Sequence, residues 1–148
     1  MSRRGSDLLY AWIAATLLSG IPSTVHALVT GGDPLEATRA AGAMLAPAQS
    51  ALPKLLLAAA LVHATVSLFW AAVLLAVLPR RHVVLWAILA AALIGVLDLR
   101  IIAPVFFPEV AALSFWPQFA DHVMWGACIG VTLAFRYKRR ETGVRDQG

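Results

Sequence analysis

The chain has 148 residues, of which 60% are apolar and only 14% charged, against about 45–50% and 25% in ordinary soluble domains. So few charges could not cover a water-facing surface of this size, and they cluster at the ends of apolar runs, which excludes a typical soluble domain and points to one membrane-embedded domain. An isoelectric point near 10.0 would suit a nucleic-acid binder, but the basic residues sit where membrane topology wants them, and that reading is set aside.

The first apolar run covers 8–29. Arg3 and Arg4 precede it, Gly20 and Pro22 interrupt it, and Val25-His26-Ala27 resembles a cleavage site, so residues 1–27 imitate a secretory signal. Its removal would leave three spans and an N-terminus outside. Apolar residues continue past Pro22 to Val29, however, giving a kinked segment long enough to cross, and retention is the expectation. Gly31-Gly32 then turns the chain. Asp33, Pro34 and Glu36 form a helix-start signature resembling a capping box, which predicts a short surface helix over 34–45. Glu36 and Arg39 stand three apart and are expected to pair on its wet side. Leu35, Ala41, Met44 and Leu45 would turn toward the membrane or the bundle, as in an interfacial helix on the non-cytoplasmic surface.

The second run spans 52–78 and the third 83–103, joined by a link at 79–82 that holds Arg80 and Arg81. Ala87, Ala91 and Gly95 make a small-residue stripe on the third. After it come Pro104, Phe106, Phe107, Phe115 and Trp116, an aromatic-rich connection suited to an interfacial belt, in which Pro108-Glu109 could open another short helix. The fourth run spans 117–135 and carries Gly126-x-x-x-Gly130, a pattern that lets backbones approach closely. Both stripes fit packing within the chain or self-association with a second copy or another membrane protein. Cys128 is alone, so no internal disulfide or cysteine metal cluster can form, and a small buried apolar residue is its ordinary role. A basic tail over 136–148 holds Arg136, Lys138, Arg139, Arg140 and Arg145.

Each run approaches or exceeds the roughly 20 residues that cross about 30 Å of hydrocarbon. None alternates like a barrel strand, and lipid offers the backbone no hydrogen-bond partners. The expected fold is therefore all-α and polytopic: a four-transmembrane-helix bundle with a short extracytoplasmic interfacial helix. Nine of the 12 Lys and Arg fall at one set of alternate ends, and only Arg39, Lys54 and Arg100 at the other. By the positive-inside rule both termini and the 79–82 link are cytoplasmic. The basic residues after the fourth run act chiefly as a topology anchor, with anionic lipid as a second use.

Polar residues within the runs carry any chemistry. In this topology His26, His63, Ser67, Asp98, Arg100, Asp121 and His122 come from four helices and share the outer leaflet. An Asp or Arg at mid-span costs about 2.5–3.5 kcal/mol on insertion scales, so these side chains should face the bundle interior or reach outward. A structural role is one outcome, with Asp98 or Asp121 paired to Arg100 and His63 bonded to a serine or a backbone carbonyl. Three functional outcomes compete with it. His63 and His122 could ligate haem or a metal, with the aspartates behind them, although no H-E-x-x-H or paired His spacing supports this. Asp and His could exchange protons in small-solute transport. Or a quinone or lipid could be gripped by His or Arg and lined by Phe69, Trp70 or Trp125. Hydrolase chemistry fares worse than these three, since Ser23, Ser67 and Ser114 occur without a nucleophile elbow and no glycine-rich phosphate loop is visible.

His63-x-x-x-Ser67, then Pro104 and Pro108, then Asp121-His122-x-x-Trp125-Gly126 give the second half of the chain a layout that resembles the YagU-like proteins, a small bacterial inner-membrane family of unknown function. The resemblance implies a bacterial inner-membrane location and four helices, and it brings no catalytic residues. The expected function is thus a non-enzymatic membrane component whose polar cluster is structural or holds a small ligand.

Overall fold

The computed structural model describes residues 3–145; residues 1–2 and 146–148, and the side chains of Arg3, Glu141, Val144 and Arg145, lie outside the described residues. Helices α1 (Arg3–Leu18) and α2 (Ile21–Thr30) form one rod broken at Ser19-Gly20. Pro22 explains the break, because it lacks an N–H and its ring would press on the Leu18 carbonyl four residues back. Gly31 ends the rod with φ at 73°, a left-handed cap that glycine adopts without strain.

Helix α3 (Glu36–Gly42) is shorter than the expected 34–45. Asp33 accepts the Leu35 N–H at 2.8 Å, which holds Pro34 and Leu35 in a turn before the helix starts. Arg39 pairs with Asp33 and not with Glu36 as expected: the Leu35 contact already aims the Asp33 carboxylate across the first helical turn. The Leu35 N–H, and then Arg39, hold the Asp33 carboxyl below its ordinary value. This anchor is therefore complete at neutral pH and lost as pH falls through that lowered value.

Helix α4 (Leu52–Val77) returns through the molecule, and a link with His82 in the left-handed region (φ 56°) leads into α5 (Val83–Leu97). A π-helical turn (Asp98–Ile102) joins α5 to α6 (Ala103–Phe106), with the Ala103 N–H bonded to the Asp98 carbonyl. Pro104 accounts for this widening, since its ring cannot sit against the Arg100 carbonyl in a regular helix, and an i→i+5 turn swings that carbonyl aside. Helix α7 (Pro108–Ala111) is the second short helix expected from Pro108-Glu109, and α8 (Phe115–Arg145) runs back the full length.

Three rods, 4–30, 52–77 and 83–106, are long and apolar enough to cross a membrane. Helix α8 is longer still, but Gln118, Asp121 and His122 dilute its first turns. It packs against α5 and α1, α1 packs on α4, and α3 lies on α4. The two small-residue stripes meet each other inside the chain. A Cβ on Gly126 would stand 2.4 Å from that of Ala91 and 2.6 Å from the Ala87 carbonyl oxygen, and one on Gly130 2.6 Å from the Val84 Cα. Gly95 is pressed likewise by His122, at 2.9 Å. Of the two uses left open for these stripes, packing within the chain is the one found.

Beside Ile129 and Leu133, the core is built largely of alanine, and many large apolar residues lie on the outside. Ala11, Ala15, Ala71, Ala87 and Ala91 are buried, while Leu17, Val29, Leu93 and Val105 are each at least 69% exposed. Water would drive the large residues inward; in lipid, close backbone approach decides, and small residues take the contacts.

One end of the molecule is an ionic cluster. Asp7, 2% exposed, accepts from Arg136 and from both terminal nitrogens of Arg140 at 2.7–2.8 Å. Arg136 also donates to Ser6 and stacks over Tyr10, and Arg80 lies over Tyr137 at 5.5 Å. The start of α1, the 79–82 link and the end of α8 therefore gather at this end. Two of the arginines expected as a bare topology anchor are ion-paired, because Asp7 is carried into their reach by the antiparallel packing of α1 on α8.

Candidate functional site

Helices α4 and α5 are joined by a short link, yet the two hardly touch. Between them, roofed by α3 and α7 and backed by α8 and the α1–α2 break, lies a cavity of about 710 Å³. Small-molecule sites range over roughly 300–1,000 Å³. Leu56, Val66, Phe69, Trp70, Ile94 and Ile102 form apolar wall, and Val66 and Phe69 remain open to the outside of the molecule. Ala41 of α3 and Met44, two residues beyond its end, complete the roof, while Leu35 and Leu45 stay exposed.

Five of the seven polar residues singled out in the sequence line this space: His63, Ser67, Asp98, Asp121 and His122. The other two do not. His26 is exposed on α2, and Arg100 turns away to stack on Phe115 with its guanidinium carbon 4.1 Å from the ring centroid. Neither aspartate pairs with Arg100, contrary to the structural expectation, because the π-helical turn sends Asp98 inward and Arg100 outward.

The break in the first rod organises the polar wall. Helix α2 begins at Ile21, so its first N–H groups have no partner within the helix. Asp121 of α8 accepts the Ser23 N–H at 2.9 Å, a carboxylate at a helix N-terminus, where the helix dipole favours negative charge. Just before the break, the Thr16 carbonyl lies 3.0 Å from His63 Nε2 and Ser19 Oγ lies 3.2 Å from it. A carbonyl only accepts, so Nε2 carries the proton in this arrangement. Ser67 forms the floor, accepting from Trp125 Nε1 at 2.8 Å and from Thr16 Oγ1 at 2.9 Å.

His122 has both ring nitrogens engaged. Nδ1 donates to the Gln118 carbonyl at 2.9 Å, and Nε2 lies 3.4 Å from Asp98 Oδ2. With Nδ1 fixed as donor, attraction between Nε2 and the carboxylate requires a proton between them. His122 and Asp98 thus act as one proton-holding pair with no net charge. For haem or a metal, His122 would have to surrender one of these bonds, and no group of three or more His, Cys, Asp or Glu able to hold a metal ion occurs among the described residues.

Thr16, Ser19 and Trp12, whose Nε1 donates to the Ala64 carbonyl at 2.9 Å, join the site without a distinguishing motif, and Ser23 enters it through its backbone N–H and not as the nucleophile weighed above. The signal was available for the serines: a Gly-x-Pro break inside an apolar run strands N–H groups that some acceptor must meet. Ser67→Ala would strand the Trp125 and Thr16 donors in a site closed to water. It is expected to lower stability by about 1–3 kcal/mol, read as a lower unfolding temperature of the detergent-purified protein. Compared with known protein families, characterised proteins and solved structures, the chain matches none.

Proposed function

We propose that the chain is a non-enzymatic integral membrane protein crossing a bilayer four times, with both ends cytoplasmic and α3 and α7 at the opposite surface. On this reading the cavity holds a small amphipathic molecule taken from the surrounding lipid. The observation that carries the ligand reading is the gap between α4 and α5: an apolar wall open sideways, leading to a polar wall of His63, Asp98, Asp121 and His122. A molecule with a greasy body and a polar head fits that gradient.

Several features support the membrane part. The alanine-lined core suits lipid. Helix α8 lies antiparallel to α1, with Arg136 and Arg140 beside Asp7, as expected of a fourth crossing that ends where the first begins. The nine-to-three split of basic residues favours that end as the cytoplasmic one. Ala11, Ala15 and Asp7 make α1 part of the packed core, which supports retention of the first segment. The inner membrane of a bacterium is the location that the YagU-like layout and the arginine placement together favour.

The test is to purify the protein in detergent, record its visible spectrum and identify the lipids and quinones extracted from it. A stoichiometric amphiphile is expected, and it should be lost in His122→Ala and in His63→Ala while both variants still insert. An empty protein, or variants that no longer insert, would favour a purely structural role for the cluster. A second reading draws on the His122–Asp98 pair: a group that holds one proton could couple ligand movement to proton movement. Proton flux in liposomes that stops in His122→Ala would select it.

A further inference from the structure

We propose that the cavity selects a lipophilic cation, an amine or onium compound with aromatic or branched apolar substituents. This rests on the reading of the cavity as a ligand site and names the chemistry of its occupant. Among the described residues, no lysine or arginine lines the space. The basic residues nearest to it in the chain are turned elsewhere: Arg100 stacks on Phe115 and Arg39 is held by Asp33. His122 and Asp98 neutralise each other, and the Nε2 proton of His63 is directed to the Thr16 carbonyl. That leaves Asp121, which accepts the Ser23 N–H at the N-terminal end of a ten-residue helix and has His63 and His122 as its titratable neighbours. A helix end supplies only about half an elementary charge, so the wall keeps a negative remainder. Trp70, Phe69 and Trp125 add aromatic surface to the same space, and aromatic faces attract cations most strongly where water is excluded. An anionic phospholipid headgroup meets no counter-charge here, and a neutral head leaves Asp121 uncompensated.

The experiment measures saturable binding of tetraphenylphosphonium, and of its neutral relative triphenylphosphine oxide, to the full chain in detergent by equilibrium dialysis. The cation is expected to bind at least tenfold more tightly than the neutral probe. Asp121→Asn should remove that preference while saturable binding of the neutral probe persists, which reports a formed cavity, and Asp121→Glu should restore it. Equal binding of both probes, or a preference that survives Asp121→Asn, would overturn the cation assignment while leaving the ligand site in place. Failure of both probes to bind would overturn the ligand site itself, and this assignment with it.

Discussion

Asp7→Ala is expected to destabilise the purified protein by on the order of 3 kcal/mol, a cost typical of removing one partner from a buried ion pair. Asp7 is 2% exposed and serves two guanidinium groups. Its loss removes the carboxylate that Arg136 and Arg140 share. The lower part of the usual range applies, because the arginine side chains are 23% and 36% exposed and water can reach them. The damage should be specific to leaving a charge unpaired. Replacing the three residues together by apolar ones of similar size, as Asp7→Leu, Arg136→Met and Arg140→Met, should cost less than Asp7→Ala alone. Thermal unfolding in one detergent, followed by far-ultraviolet circular dichroism, checks both. An Asp7→Ala variant that melts with the parent would mean that water already solvates the cluster.

Gly126→Val is expected to do comparable harm at the other kind of contact. Even the first added carbon would lie 2.4 Å from the Ala91 Cβ and 2.6 Å from the Ala87 carbonyl oxygen. The oxygen belongs to the backbone and has no rotamer with which to yield, so α5 and α8 must separate. Overpacking a core typically costs 1–3 kcal/mol, and about 3 kcal/mol or more is expected here. Gly20→Ala is the matched control, since nothing lies within 4 Å of the carbon it adds, and it should unfold with the parent. Equal melting of Gly126→Val and the parent would remove the tight α5–α8 contact from this account.

These predictions divide according to what the sequence made visible. The rods were legible because a helix in lipid must be apolar along its whole length, and the runs at 52–78 and 83–103 nearly coincide with the helical residues observed. The small-residue stripes were legible as contacts but not as partners: which helix Gly126 meets depends on the rotation of both helices, and composition is almost blind to rotation when every face is apolar. The same blindness explains why five polar residues share the cavity while His26 and Arg100 do not. Arg100 follows Asp98 by two positions and would have left the wall in any helix, but the π-helical turn imposed by Pro104 decides which of the two points inward. Asp7 was illegible for another reason. An aspartate at the head of an apolar run reads as a surface charge, and only the antiparallel docking of α8 buries it.

Crossing number is the claim on which the ligand reading stands, because only four crossings leave the gap between α4 and α5 facing lipid with α3 and α7 above it. Cysteine accessibility in intact cells tests it directly, using Gln49→Cys, Arg81→Cys and Thr142→Cys one at a time in a Cys128→Ser background. A maleimide that cannot cross membranes should label Gln49→Cys from outside, and the other two only after the cells are opened. Labelling of Arg81→Cys from outside, or of Arg81→Cys and Thr142→Cys from opposite sides, would contradict the account.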